Sequence, residues 1–310
     1  MIIQTGMRTD IPAFFSEWFY KRIQEGFVMV RNPYNTTSVT RYSLSPEVVD
    51  LICFCSKNPA PMFKQMDLLK PYGQYWFVTI TPYGMDIEPN VPSKEKVMED
   101  FIHLSENVGA NSIGWRYDPI LINDKYSVAK HISDFERMAG KLSGYTDTCI
   151  ISFIDLYQKV IRNFPKAKTV KKQDRHTIVK EFVSIADTYG MKIKPCGEGK
   201  EYEIYGADCS GCMTKGTYEK AIGCKLDLPK KKPTRQECAC FLTGDIGSYN
   251  TCSHFCRYCY ANYDKRTVLQ NQRLHDPDSP LLIGNIMKND VIHEAKQTSW
   301  KNYQLSFDFL

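Results

Sequence analysis

Leu51-Ile52-Cys53-Phe54-Cys55, closed by Ser56-Lys57-Asn58-Pro59, is a short apolar run that ends on a basic residue and a turn former. A run of that length between turn residues reads as a strand buried on both faces, and its polar end then sits at the strand's carboxyl terminus. The same layout recurs along the first two thirds of the chain. Residues 1–5 lead into Arg8-Thr9-Asp10, residues 27–30 into Arg31-Asn32-Pro33, and residues 75–80 into Thr81. Residues 113–115 lead into Arg116-Tyr117-Asp118-Pro119, residues 149–153 into Asp155, and residues 191–194 form a seventh strand. Helical stripes lie between them: Phe14, Phe15, Trp18, Phe19 and Ile23 before Gly26; Val97, Phe101, Leu104 and Val108 before Gly109; Val128, Ile132, Phe135 and Met138; and Ile178, Phe182, Ile185 and Tyr189 before Gly190. Strands alternating with helices predict βα units around a parallel sheet, and seven in series predict a TIM-like (β/α) barrel.

In a barrel the residues directly after each strand share one rim, where such folds keep their chemistry. The candidates for cofactor or substrate binding there are Arg8, Asp10, Arg31, Asn32, Lys57, Asn58, Arg116, Asp118 and Asp155. Arginine suits bidentate recognition of carboxylate or phosphate, which puts Arg8, Arg31 and Arg116 forward as anchors for an anionic group. Each residue also has a plain structural reading: Asp10 can cap the helix that Pro12 begins, and Asn-Pro pairs form turns.

The 310 residues are 43% hydrophobic and 24% charged, as in an ordinary globular protein. No run approaches the ~18 apolar residues of a membrane span, and the start lacks the layout of a secretion signal, so a cytoplasmic protein is expected. In a reducing compartment its twelve cysteines favour metal ligands or buried thiols over disulfides. Nine of them fall between Cys196 and Cys259. The net charge of +5 permits a polyanionic partner without requiring one. Two basic stretches, Lys166 to Arg175 and Lys230 to Arg235, read as solvated faces or as surfaces for a polyanion.

Cys252-Ser253-His254-Phe255-Cys256-Arg257-Tyr258-Cys259 places three thiols at C-x3-C-x2-C spacing. A loop of that length can wrap three corners of a 4Fe-4S cube and leave one iron open, although a structural zinc knuckle using the same thiols and His254 is a second reading. Upstream, Cys209-Ser210-Gly211-Cys212 has knuckle spacing and Cys238-Ala239-Cys240 adds two thiols. Spacing alone pairs 209/212 with 238/240 around zinc or a second iron-sulfur cluster.

The cysteine loop resembles the cluster loop of the radical S-adenosylmethionine superfamily. Its segment Cys256-Arg257-Tyr258-Cys259-Tyr260-Ala261 is also similar to that of spore photoproduct lyase and its relatives, which repair thymine lesions in DNA. Over nearly the whole chain the sequence resembles a bacterial family, domain of unknown function 1848, that joins a barrel-like part to such a cysteine cluster. The matching segments include Arg8 to Phe14, Arg31-Asn32-Pro33, Lys57-Asn58-Pro59, Asp86 to Asn90, Trp115 to Ile120, Asp245-Ile246-Gly247, Cys252 to Asn262 and His275 to Pro280. The resemblance implies that Cys252, Cys256 and Cys259 hold a 4Fe-4S cluster, that Tyr258 lies at the cofactor, and that S-adenosylmethionine occupies the open iron. It also implies a second metal set of Cys196, Cys209, Cys238 and Cys240, with Cys212 in reserve. Two departures from the superfamily stand out: the loop comes late, as in a permuted barrel, and no Gly-Gly-Glu segment is present.

The expected organisation is barrel units over 1–195, a cysteine-rich region completing the barrel over 196–284, and a helix near 291–296 with a tail over 285–310. The expected function is a radical enzyme with an external electron donor and a substrate that includes DNA among its candidates. The alternative is a nucleic-acid-binding protein with a structural zinc or iron-sulfur site and no turnover. In the tail, Gln304, Leu305, Phe307 and Phe309 resemble the peptide by which repair proteins dock on the sliding clamp. Packing of the same side chains against the barrel is the other reading.

Overall fold

The computed structural model describes residues 1–230, 238 and 240–302. The chain opens with β1 (Ile2–Gln4), α1 (Ile11–Phe14), α2 (Ser16–Glu25), β2 (Phe27–Arg31), β3 (Ser38–Ser43) and β4 (Leu51–Ser56). It continues through β5 (Gly73–Thr79), α3 (Lys94–Val108), β6 (Ile113–Ile120), α4 (Val128–Leu142), β7 (Thr148–Phe153), α5 (Gln158–Asn163), α6 (Lys172–Thr188) and β8 (Lys192–Pro195). The last third carries α7 (Lys215–Ile222), β9 (Lys225–Leu226), β10 (Gly244–Asp245), α8 (Lys265–Gln272), β11 (Val291–Glu294) and β12 (Lys301–Asn302). Helix boundaries follow local chemistry. Asp10 accepts from Ala13 N at 3.0 Å and Pro12 opens the first turn, while Ser93 and Ser127 cap α3 and α4 in the same way. Gly26 ends α2 at φ 75°, a left-handed turn that costs glycine nothing.

Seven strands form one parallel sheet in the order β10-β1-β4-β5-β6-β7-β8. The barrel expectation, permuted or not, is overturned here. Among the described residues no ladder joins β8 to β10, so the sheet is open and of the Rossmann-like α/β class. Among the described residues, the next strand to join the main sheet after β8 is β10, at the opposite edge. The chain passes through a 3-10 turn at Glu201–Tyr205 and into α7, and the strand that follows, β9, pairs antiparallel with β12 outside the main sheet.

Two further expectations change. The strand over 27–30 is present as β2, but it leaves the main sheet to pair antiparallel with β3, which in turn pairs with β11. Residues 291–296, expected as a helix, hold β11 instead; Val291 and Ile292 suit a strand, and the free edge of β3 supplies the partner.

Alternation along the strands sorts their side chains into two cores. Ile52, Phe54, Trp76, Val78, Trp115, Tyr117 and Ile151 face the larger one, against α2 to α4 and α6. Rings stack there: Phe54 on Trp76 at 3.9 Å, Trp115 on Phe135 at 4.9 Å, and Phe135 on Phe182 at 3.8 Å. Leu51, Cys53, Tyr75, Phe77 and Ile150 face the other way, onto a smaller core with Cys212, Met213, Tyr218 and Leu226.

The order of the strands also locates a crevice. From β4 to β8 each strand is laid on one side of β1, and β10 returns on the other side. In open α/β sheets ligands bind beyond the carboxyl ends of the strands at such a reversal. The cysteine loop follows β10 directly.

Candidate metal centre

Backbone and side-chain bonds press the loop at 252–262 across the carboxyl ends of β1, β4 and β5. Tyr260 donates to Met7 O at 2.6 Å, Arg257 N to Ile87 O at 3.0 Å, and Asn90 N to His254 O at 3.2 Å. Asn90 Nδ2 donates to Ser253 O at 2.7 Å, and Asn262 Nδ2 closes the loop on Cys252 O at 2.8 Å. His254 is buried; its Nε2 lies 2.9 Å from Asp10 Oδ2 and its Nδ1 lies 3.3 Å from Asn90 O. Each ring nitrogen therefore faces an oxygen rather than the thiols. Phe255 takes a φ of 54°, unusual for a bulky side chain, and this turns the chain between Cys252 and Cys256.

Asp10 serves the site as well as its helix. Besides capping α1, it accepts Lys57 N at 2.8 Å and His254, tying the ends of β1 and β4 to the loop. The Lys57 ammonium donates to Glu88 at 2.8 Å; the same Glu88 oxygen accepts from Thr81 at 2.7 Å and from the Tyr258 hydroxyl. Burial raises the Glu88 pKa, but Lys57 and the two hydroxyls outweigh it and hold the carboxyl below its usual value. Burial alone lowers the Lys57 pKa, yet Glu88 and the neighbouring Cys256 thiol turn the net shift upward. Removing one partner of such a buried pair strands the other charge at a cost of ~3–5 kcal/mol, so the network acts as a unit.

The three loop thiols lie within electrostatic reach of one another, and burial pushes all of them up. Lys57 counteracts this at Cys256, while the N–H groups of Ala261 and Asn262 counteract it at Cys259, with Ala261 N 3.3 Å from its sulfur. Backbone N–H donors on cysteine sulfur are a feature of iron-sulfur sites. Asn262 Oδ1 is buried beside the loop with no hydrogen-bond partner among the described residues.

Among the described residues, the one group of three whose ligand atoms all lie within 4.8 Å of one another is Cys196, Cys212 and Cys240. These three are close enough to share a metal ion. Cys209, ranked ahead of Cys212 by resemblance, packs instead against the larger core, and Cys238 is buried outside the group. Arg116 points onto the same face as this group. Burial opposes its charge, but Asp118, Cys55, Cys196 and Cys212 hold it well above its ordinary pKa. Its Nε donates to Asp118 at 3.1 Å, and Asp118 also accepts from Ser152. Tyr260 stands within electrostatic reach of Cys259, Cys55 and Arg116.

The other candidates separate. Arg8 donates to Gly247 O at 3.5 Å and lies over the Tyr249 ring, at the β1/β10 crevice. Arg31 leaves the rim with β2 and forks onto Asp290 at 2.5 and 2.7 Å; Asn32 caps the turn at Tyr34 and Asn35. Neither belongs to the site, because their strand is in the side sheet. Asn58 donates its N–H to Ser56, and Asp155 accepts from Tyr157 at 3.1 Å beside the β8 end. In the first basic stretch Arg175 is spent on Glu198 at 3.0 Å and Lys172 on Glu201 at 3.1 Å. Residues 231–237 and the tail side chains Gln304, Leu305, Phe307 and Phe309 lie outside the described residues.

Sequence reasoning overlooked Glu88, Asn90 and the bracing role of His254. The available signal was the polar segment Asp86 to Asn90, which follows a strand as the chosen candidates do. Among the described residues no helix is long and apolar enough to cross a membrane. The model of a family described as Domain of unknown function (DUF1848) matches residues 2–261. No curated protein and no solved structure matches the chain.

Proposed function

We propose that this chain, which belongs to the DUF1848 family, is an iron-sulfur enzyme of the radical S-adenosylmethionine type, with Cys252, Cys256 and Cys259 as cluster ligands. A 4Fe-4S cluster with one open iron, reduced by an external donor and loaded with S-adenosylmethionine, supplies a 5'-deoxyadenosyl radical for hydrogen abstraction. The observation that carries the reading is the engagement of His254. With its nitrogens turned to Asp10 and Asn90, the loop offers three thiols and no histidine. The Cys3His zinc knuckle that the spacing allows would then lack its histidine, whereas a cube with a free corner needs only the three thiols.

The residues around the loop suit that donor set. Lys57 sets a positive charge beside Cys256, Ala261 N donates to the Cys259 sulfur, and the Asp10–His254 contact fixes the loop against the sheet. Arg8 and Lys159, both over the Tyr249 ring at 5.6 and 5.1 Å, supply positive charge at the crevice for a carboxylate. Tyr258 is oriented by its hydroxyl donating to Glu88.

The test is anaerobic reconstitution with iron and sulfide, followed by S-adenosylmethionine and dithionite, with 5'-deoxyadenosine as the readout. The wild-type chain should bind iron at the loop and release 5'-deoxyadenosine, and Cys256→Ala should lose both. An anaerobic preparation that carries zinc at the loop and no iron would sink the reading.

A further inference from the structure

We infer that Cys196, Cys212 and Cys240 bind a single zinc ion, distinct from the cluster loop, that fastens the chain crossing the smaller face of the sheet. The three thiols come from separate segments: the end of β8, the turn before α7, and the approach to β10. Cys212 Sγ lies 3.6 Å from Cys196 Sγ and 3.3 Å from Cys240 Sγ. Four ligands at ~2.3 Å from a tetrahedral ion stand about 3.8 Å apart, so the observed spacing needs only a small expansion. The ligands of a four-iron cube each hold a different iron and stand farther apart, which separates this site from a second cluster.

Charge and context agree with a divalent ion. Three thiolates and Zn2+ leave one net negative charge, and the buried Arg116 guanidinium, paired with Asp118, also lies within electrostatic reach of Cys196 and Cys212. Thiolate ligands favour soft, borderline ions such as zinc over magnesium or calcium. Cys212 is buried among Met213, Tyr218 and strand side chains. The Cys212 and Cys240 arms are already tied by Phe241 N to Met213 O at 2.7 Å, and Cys196 N extends the β8 ladder onto Ile151 O at 2.8 Å. The ion would therefore close a site that the backbone has preassembled, and it would hold α7 on a face whose apolar core is the smaller of the two.

The experiment is metal analysis of the full chain purified anaerobically, with zinc-edge X-ray absorption on the wild type. The expected result is one zinc per chain with three sulfurs at about 2.3 Å and one oxygen or nitrogen, the fourth position falling to a water molecule. Cys212→Ser and Cys240→Ser should each lower retained zinc by about tenfold or more, the least that even an outer-shell change costs. Cys256→Ala should keep the zinc while losing iron, so failure of the cluster reading and failure of this one give different results. The inference is overturned by a folded wild type without zinc, by a Cys212–Cys240 disulfide in anaerobic peptide maps, or by iron in place of zinc at these thiols. Should the serine variants not fold, the sulfur shell of the wild type decides alone.

Discussion

One face of the seven-stranded sheet is packed with aromatic rings and the other with thiols, although the same strands build both. In β6, Trp115 and Tyr117 enter the aromatic core while Gly114, Arg116 and Asp118 alternate to the opposite side; in β4, Ile52 and Phe54 face one way and Cys53 and Cys55 the other. The aromatic face is closed by helices and stacked rings. Tyr117 and His131 meet at 2.8 Å there, and the His131 ring reaches Leu121 O at 2.8 Å on its other side. The thiol face instead holds a buried cation, a three-thiol group and close backbone approaches. Stacked rings and helices lie on one face and the three-thiol group that could hold a metal ion lies on the other, because a period of two sends alternate side chains of each strand to opposite faces.

The strongest way to break that division is Trp115→Ala. The ring stacks on Phe135 and its N–H donates to Ile80 O at 3.0 Å. Its loss should cost ~3–5 kcal/mol in denaturant unfolding, with metal content per folded chain unchanged. A parallel loss of metal would show that the two faces are coupled.

A second test uses pH on the aromatic face. Burial lowers the His131 pKa from 6.5 to about 4, with Nε2–H donating to Leu121 O and Nδ1 accepting from Tyr117. Between those values the unfolded chain binds a proton that the folded chain does not. Stability therefore rises with pH across the window, by ~3 kcal/mol in total, and is lost as pH falls through it. His131→Gln should flatten that part of the profile; an unchanged slope would place the titration elsewhere.

The smallest effect is expected on the thiol face. A Cβ at Gly6 would lie 2.4 Å from Cys55 Cβ and 2.5 Å from Cys55 O, so Gly6→Ala must displace the end of β4. Overpacking of this kind costs ~1–3 kcal/mol. Because Lys57 and Asp10 meet just beyond Cys55, the variant should also lose iron at the loop out of proportion to its stability, as measured by iron content per folded chain. Full iron retention would mean that the loop is held independently of β4.

Sequence by itself determined the local features of this protein. Apolar runs and helical stripes located the six strands of the main sheet that precede the cysteine-rich region, and the helices α2, α3, α4 and α6, because strand and helix periods are written in neighbouring residues. The spacing of Cys252, Cys256 and Cys259 and the capping geometry of Asp10 are equally local. Tertiary structure alone decided what depends on distant segments meeting. Whether β8 would find β10, and so close the sheet, is not written in any apolar period between them, and the two lie at opposite edges. Arg31 carried the same signal as Arg116, yet β2 turned to β3 and took it out of the site. Cys212 rather than Cys209 joined Cys196 and Cys240, although the two are three residues apart, because the turn before α7 buries one and directs the other to the opposite core. Glu88 became a partner of Lys57 and Tyr258 only when the end of β5 was laid beside the cysteine loop. Convergence of side chains is a property of packed space, and a single sequence records period and spacing more plainly than it records which ends will meet.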